Sequence, residues 1–439
     1  MPKIAMIGAG SGFGLRLSTD IMAYQELRDS TLVLMDINED NLERCGAYTQ
    51  RVAHLRKVPT RIECTTDRRE ALDGADYVIV AISVGGAAYA GSPYYEEMMI
   101  PHSYGVSQQV GDTVGPAGVL RALRTAPVML DICHDMEELC PDGQLINYTN
   151  PMSILCWVMT AATPLNVVGL CHSVQGTAGQ LAGYIGVPRD QVSYWVAGIN
   201  HMSWYLEYRH NGEDAYPALR EAMDDPEIYA KDPVRFEIMR HFDYFVTEST
   251  RHMSEYVPYF RKRPELLEEF SLTMREPAKT VGGEGDRRSR RWEWADERLE
   301  KQLSGDEPVE LKPSHEYASH IMRSMETGEP FRMNGNVPND GIISNLPDGC
   351  CVEVPCLVDN TGIHGCRVGE LPPQLAALNA SNVAVHELTT LAVLERDLHK
   401  AYQAVLLDPL TAAVCTPAEV REMYDKMVDA EGELLDYYQ

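Results

Sequence analysis

A chain of 439 residues exceeds one comfortable hydrophobic core, so two closely packed domains are expected. Its formal charge of -27 at pH 7 speaks against nucleic acid and anionic membrane as partners, since both require a positive surface. No apolar run approaches the roughly 18 to 20 residues that span a bilayer, and the 11 Cys, odd in number and without pairing rhythm, fit a reduced, cytoplasmic protein.

The N-terminus enters a strand at once (Ile4-Ala5-Met6-Ile7), with neither a basic n-region nor a signal-type apolar stretch, which argues against export. That strand runs into Gly8-Ala9-Gly10-Ser11-Gly12-Phe13-Gly14, and a helix is predicted around Leu15 to Leu27. Small residues at such a turn let the backbone approach a pyrophosphate, whose charge the helix N-terminus stabilises. Gly8, Gly10, Ser11, Gly12 and Phe13 are therefore the expected cofactor contacts. Phe13 stands where the dinucleotide fingerprint has its third Gly, and Gly14 comes one residue late. Thr31 to Met35 reads as a second strand ending in Asp36, an acid suited to a ribose diol. Charge repulsion at Asp36 favours NAD over its 2′-phosphorylated relative. A helix over Glu39 to Leu55, a strand over Arg61 to Thr66 and an apolar strand from Ala75 to Ile82 follow. This alternation is the signature of an α/β fold with a parallel, doubly wound sheet. Ser83-Val84-Gly85-Gly86 ends the last strand with residues that permit close backbone approach, so Ser83 is a further cofactor candidate.

A Gly-rich turn from Val110 to Gly118 leads into a helix over Val119 to Thr125, before Pro127, and Asp112 there is either a turn-former or a site carboxylate. After a strand over Gln144 to Tyr148, Asn150-Pro151 opens a helix; spacing alone makes Asn150 its cap before it makes it a substrate contact. Asn166 to Leu170 is a short apolar run suited to a buried strand, and Ser173 can cap a helix through Tyr184. Cys171 and His172 then lie outside the carboxyl end of a strand, where open α/β sheets bind ligands. Taken alone, Cys171 reads as readily as a small buried hydrophobe. His201 shifts the balance, because it too follows an apolar run, Tyr194-Trp195-Val196. A thiolate and an imidazole from adjacent strand ends make half of a divalent-metal site with open positions. Trp204 to Arg209 reads as a strand turning at Asn211-Gly212, and the pattern becomes mixed. A boundary near residue 200 divides a Rossmann-like NAD-binding domain (1–197) from an α+β domain (198–439) carrying substrate, metal and oligomer contacts. Arg261 to Lys312, with Arg287-Arg288-Ser289-Arg290-Arg291, is dense in charge and reads as a solvated helical excursion.

Taken together, Gly8-Ala9-Gly10-Ser11, Asn150-Pro151-Met152, Cys171-His172-Ser173-Val174, Gly198-Ile199-Asn200-His201 and Glu255-Tyr256-Val257-Pro258-Tyr259-Phe260 resemble the NAD- and manganese-dependent glycosidases of glycoside hydrolase family 4. The resemblance continues to Asn345-Leu346-Pro347-Asp348-Gly349-Cys350-Cys351, so it covers nearly the whole chain. Branches acting on phosphorylated glycosides carry Asn or Asp directly after the Cys; His172 stands there instead, as in the α-galactosidase branch. The resemblance implies a lactate/malate dehydrogenase-like Rossmann fold and a homodimer or homotetramer. It gives Cys171 and His201 as metal ligands, Asn150 as a substrate contact, and the first glycines with Asp36 as the NAD site; Asp112, from its turn, is the second substrate-binding candidate. It also gives Tyr256, or the nearby Tyr259, as the base. His315 stands where an Arg is expected in such proteins.

The chemistry so implied is a redox-assisted elimination. Carbon 3 of the sugar is oxidised, the carbon-2 hydrogen thereby becomes acidic, Tyr256 removes it, and the aglycone leaves from carbon 1 with a proton from His172. Water adds back and the hydride is returned, so NAD is recycled. α-Glucosides and α-hexuronides are the rival substrates within this reading. An NAD-dependent 2-hydroxyacid dehydrogenase, which the N-terminal half alone would suit, is the rival reaction.

Overall fold

The computed structural model describes residues 1–86, 89–283, 297–298, 300–302, 304–308 and 310–439. Strands β1 (Lys3–Ile7), β2 (Thr31–Met35), β3 (Arg61–Thr65), β4 (Tyr77–Val80), β5 (Gln144–Asn147) and β6 (Asn166–Gly169) are parallel, in the order β3-β2-β1-β4-β5-β6. Strand order reverses between β1 and β4, which opens a crevice at their carboxyl ends. Alternate residues feed two cores. Ile4, Met6, Leu32, Leu34, Ile79, Ile146 and Val168 enter one, and Ala5, Ile7, Val33, Val78, Val80, Leu145 and Val167 the other. Burial on both faces is why these strands read as short, nearly continuous apolar runs.

Helices α1 (Gly12–Ala23), α2 (Glu39–Arg56), α3 (Arg68–Leu72), α4 (Tyr94–Ser103), α5 (Gly115–Leu139), α6 (Met152–Ala162) and α7 (Ser173–Tyr184) connect the strands. The Asn38 and Asp67 side chains cap α2 and α3 by accepting backbone N–H bonds. Helix α5 runs through Pro127 to Leu139, well past the end that its proline suggests. Pro127 has no N–H to give the Leu123 carbonyl; the Tyr438 hydroxyl donates to that carbonyl instead, at 2.8 Å. The compensation comes from the far end of the chain, where a local reading cannot find it. Two capping expectations also change. Ser173 is the first residue of α7, behind His172, and Pro151 rather than Asn150 precedes α6.

The sheet continues beyond β6 with strands of later sequence. β10 (Phe331–Pro338) joins β6 antiparallel at Asn336 and Gly169, β11 (Cys351–Asp359) follows, and β7 (Val192–Ile199) joins β11 at Glu353 and Gly198. β8 (Met202–His210) and β9 (Glu213–Asp214) complete this edge, while β12 (Gly362–Gly365) pairs with β11. The β8–β9 turn falls on Asn211-Gly212 as read from the sequence, with φ 49° and 86°. The charged segment after residue 260 opens differently from the expectation. Arg261 is buried and donates to the carbonyls of Ser107, Leu272 and Arg251; a short helix, Pro264–Glu269, follows. The Arg287–Arg291 run lies outside the described residues. Among the described residues no helix is long and apolar enough to cross a membrane.

The helix Pro373–Glu395 is tied to β8 through Asn379, whose amide accepts from Trp204 Nε1 at 2.9 Å and donates to the Met202 carbonyl at 2.8 Å. Both partners lie in the core, so Asn379→Ala strands one donor and one acceptor there. At about 1–3 kcal/mol for each orphaned group, the variant should lose about 2–6 kcal/mol in denaturant unfolding.

Candidate active site

The first end of the crevice is built by the glycine turn. Gly8 has φ +85°, and a Cβ on it would lie 2.3 Å from the Ala81 carbonyl oxygen, so the turn and the end of β4 meet backbone to backbone. The Gly10 N–H donates to Asp36 Oδ2 at 2.8 Å and the Asn38 N–H to Oδ1 at 2.9 Å. The late Gly14 explains the imperfect fingerprint: its Cβ would sit 1.8 Å from the Ala9 carbonyl, so Gly14 lets α1 pack close. Phe13 is thereby free to pack on Tyr148, with ring centroids 5.0 Å apart. Ser11 Oγ is buried without a hydrogen-bond partner, and Gly12 opens α1 at the surface with no side-chain cap. Ser83, just beyond β4, is exposed at the same rim.

A separate group of residues carries metal-type donors. A ligand atom from each of Cys171, His201 and Glu248 lies within 4.8 Å of the other two. Cys171 and His201 do not come from neighbouring strands as expected, because β10 and β11 stand between β6 and β7. At about 4.8 Å per strand that separates them by roughly 14 Å in the sheet. They meet because His201 sits in the tight turn between β7 and β8 with φ +64°, a left-handed conformation that a non-glycine residue adopts only when its surroundings fix it. Glu248 has φ +73°. Strained backbone at two of three convergent donors is a local signature of a site, and it is invisible in a sequence.

Behind the cluster lies a buried polar chain. His201 Nδ1 is 2.9 Å from His252 Nε2, and His252 Nδ1 is 3.3 Å from Glu255 Oε2. Glu255 also accepts the N–H groups of Gln109, Val110 and Gly111 at 2.5, 2.9 and 3.1 Å. Asp112, next in the chain, accepts from the Tyr89 hydroxyl at 2.5 Å, from Thr113 at 2.7 Å and from the Asn150 amide at 3.1 Å. Asn150 thus bonds the Asp112 carboxylate and does not cap the helix. Tyr256 is wholly buried, with its hydroxyl 3.4 Å from His201 Nδ1, whereas Tyr259 is 41% exposed and packs on Phe242. His172 is exposed beside Cys171, whose thiol lies 3.3 Å from Ser173 Oγ. Gln175, one turn into α7, bonds the carbonyl of His315, which itself lies on the surface.

These contacts set the charges. Burial alone would raise the Asp112 carboxyl, but His252, Arg121, His201 and the Tyr89 hydroxyl hold it well below the usual range. Burial would likewise lower His201, yet Glu248 and Cys171 overcome it and raise the imidazole from 6.5 to about 10. Burial pushes the Tyr256 phenol well up, and the carboxylates of Asp112, Glu248 and Glu255 add to this. Glu248, His252, Glu255 and Arg261 were not singled out from the sequence. The three-residue spacing of His252 and Glu255 suits two side chains on one helical turn, but the helix here ends at Met253 and Glu255 lies in the turn after it.

A glycine turn at a reversal of strand order and a thiol–imidazole–carboxylate cluster occur in one fold, and comparison gives the family. Residues 3–187 match the Family 4 glycosyl hydrolase profile and residues 196–411 its C-terminal domain. The chain belongs to family 4 of the glycosyl hydrolases. It is 39% identical over 443 residues to an α-galactosidase of Bacillus subtilis, covering all of both chains. It is 37% identical to an α-galactosidase of Rhizobium meliloti, covering 99% of this chain and 89% of that one. A crystal structure of a putative glucosidase from Bacillus subtilis superposes with TM-score 0.84 at 25% identity, covering 97% and 99% of the two chains. A 6-phospho-α-glucosidase from gut microorganisms, solved with NAD and Mn2+, gives 0.81 at 20% identity with 98% of each chain covered. Malate dehydrogenase of Plasmodium falciparum shares the fold at 0.51 and 13% identity, over 92% of this chain and 100% of that one. The protein is a glycosidase on a dehydrogenase-like Rossmann fold.

The His201 environment has a testable sign. Because its folded value lies above 6.5, its ion pairs stabilise the metal-free protein fully below pH 6.5, and this contribution fades as pH rises toward about 10. A proton NMR titration of the metal-free protein should show the His201 ring titrating near 10, while a midpoint near 6.5 would mean that Glu248 and Cys171 do not face it.

Proposed function

We propose that this glycosidase hydrolyses α-galactosides with NAD and a divalent metal, manganese first, by oxidation, elimination, addition and reduction at one sugar. The observation that carries the proposal is the convergence of Cys171, His201 and Glu248 within 4.8 Å, in a fold that also carries the glycine turn and Asp36. The donor set fits a divalent ion: three protein ligands leave positions open for sugar oxygens. Glu248 supplies the carboxylate oxygen that manganese prefers, beside the softer thiolate. The first crevice fits NAD, through the orphaned Ser11 Oγ, the backbone approach at Gly8, and Asp36 oxygens that keep lone pairs for a ribose diol. The preference for galactosides rests on the two full-length α-galactosidase relatives.

When bound, NAD offers a reversible hydride acceptor and the metal a Lewis acid beside the sugar's oxygens. Asn150 and Asp112 orient the sugar hydroxyls. Tyr256 takes the carbon-2 proton; the fold brings it, and not Tyr259, to the cluster. Its raised pKa means that it acts only when added positive charge beside His201 offsets the surrounding carboxylates. His172, exposed next to Cys171, gives a proton to the leaving oxygen. In this division of work residues 1–197 hold the cofactor, and 198–439 complete the substrate site and carry oligomer contacts.

A panel of nitrophenyl α-glycosides assayed with NAD, Mn2+ and thiol should show release from the galactoside without accumulation of NADH. Faster release from the glucoside or the uronide would overturn the sugar assignment, and NADH formed in step with product would point to a dehydrogenase. Cys171→Ser and His201→Ala should each abolish metal-dependent turnover while NAD binding, followed by nucleotide fluorescence, stays intact. Asp36→Ala should weaken NAD binding by about 1–3 kcal/mol through loss of charge-assisted hydrogen bonds; an unchanged dissociation constant would move the ribose site elsewhere.

A further inference from the structure

The three donors account for one face of His201, and the polar chain behind its other face is assigned no role by the metal reading. We propose that His252 and Glu255 are positioning residues that dictate which nitrogen of His201 is free to bind a divalent metal. The inference rests on the proposed metal site and extends it inward.

Proton bookkeeping along the chain of rings fixes the tautomers. Glu255, ionised, can only accept, and its carboxylate is held by three backbone N–H groups, with Arg261 Nη2 3.8 Å away. His252 Nδ1, facing Glu255, must therefore carry hydrogen. With a divalent cation bound at His201, a second positive charge on His252 is disfavoured, and the neutral ring has a bare lone pair at Nε2, which can only accept from His201 Nδ1 at 2.9 Å. His201 Nδ1 must in turn carry its hydrogen, and this leaves the Nε2 lone pair, on the side of Glu248 Oε2 at 3.5 Å, as the metal-binding atom. One fixed acceptor thus propagates through two rings and commits the outer nitrogen. The neighbours that could interrupt the chain are poorly placed. Asp112 Oδ1 is 3.7 Å from His252 Nε2, and the Tyr256 hydroxyl is 3.4 Å from His201 Nδ1. Every ring and carboxylate of the chain is buried, so water does not compete for these bonds.

The near-isosteric Glu255→Gln tests this by reversing the polarity. Its carbonyl replaces Oε1 under the Gln109 and Val110 N–H groups, and the amide NH2 takes the place of Oε2, giving up the Gly111 N–H bond and donating to His252 Nδ1. The chain then runs backwards and puts hydrogen on His201 Nε2. Mn2+ affinity, measured by the loss of free-ion EPR signal, should fall about 10–100-fold, the usual effect of removing a partner that orients a ligating histidine. NAD affinity should be unchanged. His252→Phe, which keeps a ring in place and removes the acceptor, should have the same effect. In the wild-type protein loaded with diamagnetic Zn2+, nitrogen-15 NMR should show both histidines with hydrogen on Nδ1. Wild-type Mn2+ affinity in a folded variant, or a wild-type Nε2–H tautomer at His252, would overturn the proposal. A wild-type protein that binds no Mn2+ would overturn the metal reading itself, and the inference with it.

Discussion

A carboxylate with no access to solvent is tolerated only where donors surround it, and Glu255 is the point at which this protein spends that constraint. Three consecutive backbone N–H groups leading to Asp112 converge on it from the Rossmann half, and His252 from the other. Arg261, itself buried, sits behind it and grips the carbonyls of Ser107 and Leu272. The two segments that deliver Asp112 and the His201–His252 pair are therefore fixed relative to each other by one charge. Removing that charge leaves buried donors unpaired on both sides, so the geometry of the site and the cohesion of the two halves are the same problem.

The sheet sets the coarse position. A single bridge, Asn336 to Gly169, couples the parallel strands to the antiparallel ones, and another, Glu353 to Gly198, brings β7 into line. These contacts set the ends of β6 and β7 on a common frame, and the left-handed backbones of His201 and Glu248 make the last few ångströms of approach. The fold that carries this frame is shared with malate dehydrogenase, while the chain belongs to a glycosidase family.

What could be read from the sequence follows from how local each cause is. The first strand, its glycine turn and Asp36 are contiguous, and their spacing carries the geometry; even the displaced Gly14 could be seen, though its packing role could not. Cys171 was legible as a strand-end thiol, because Val167 and Val168 mark the strand. His201 became meaningful only beside it. By contrast Glu248, His252 and Glu255 lie on turns and a four-residue helix, Thr250–Met253, which has no periodicity to reveal a face. Arg261 looked like the start of a solvated charge run, since nothing local announces that a guanidinium is buried. The continuation of α5 through Pro127 depends on Tyr438, and the placement of Asn150 on Asp112, 38 residues away in the chain; both are decided by tertiary contacts.

The central claim is that bond cleavage proceeds through removal of the hydrogen at carbon 2, which a pair of hydrolytic carboxylates never disturbs. Turnover of an α-galactoside in deuterium oxide, with NMR of the released sugar and a control on free sugar, tests this directly. The account predicts deuterium at carbon 2, since a phenol such as Tyr256 exchanges its proton with solvent before the carbon is reprotonated. A sugar released at the full rate with its original hydrogen, and with no isotope effect from carbon-2-deuterated substrate, would contradict it.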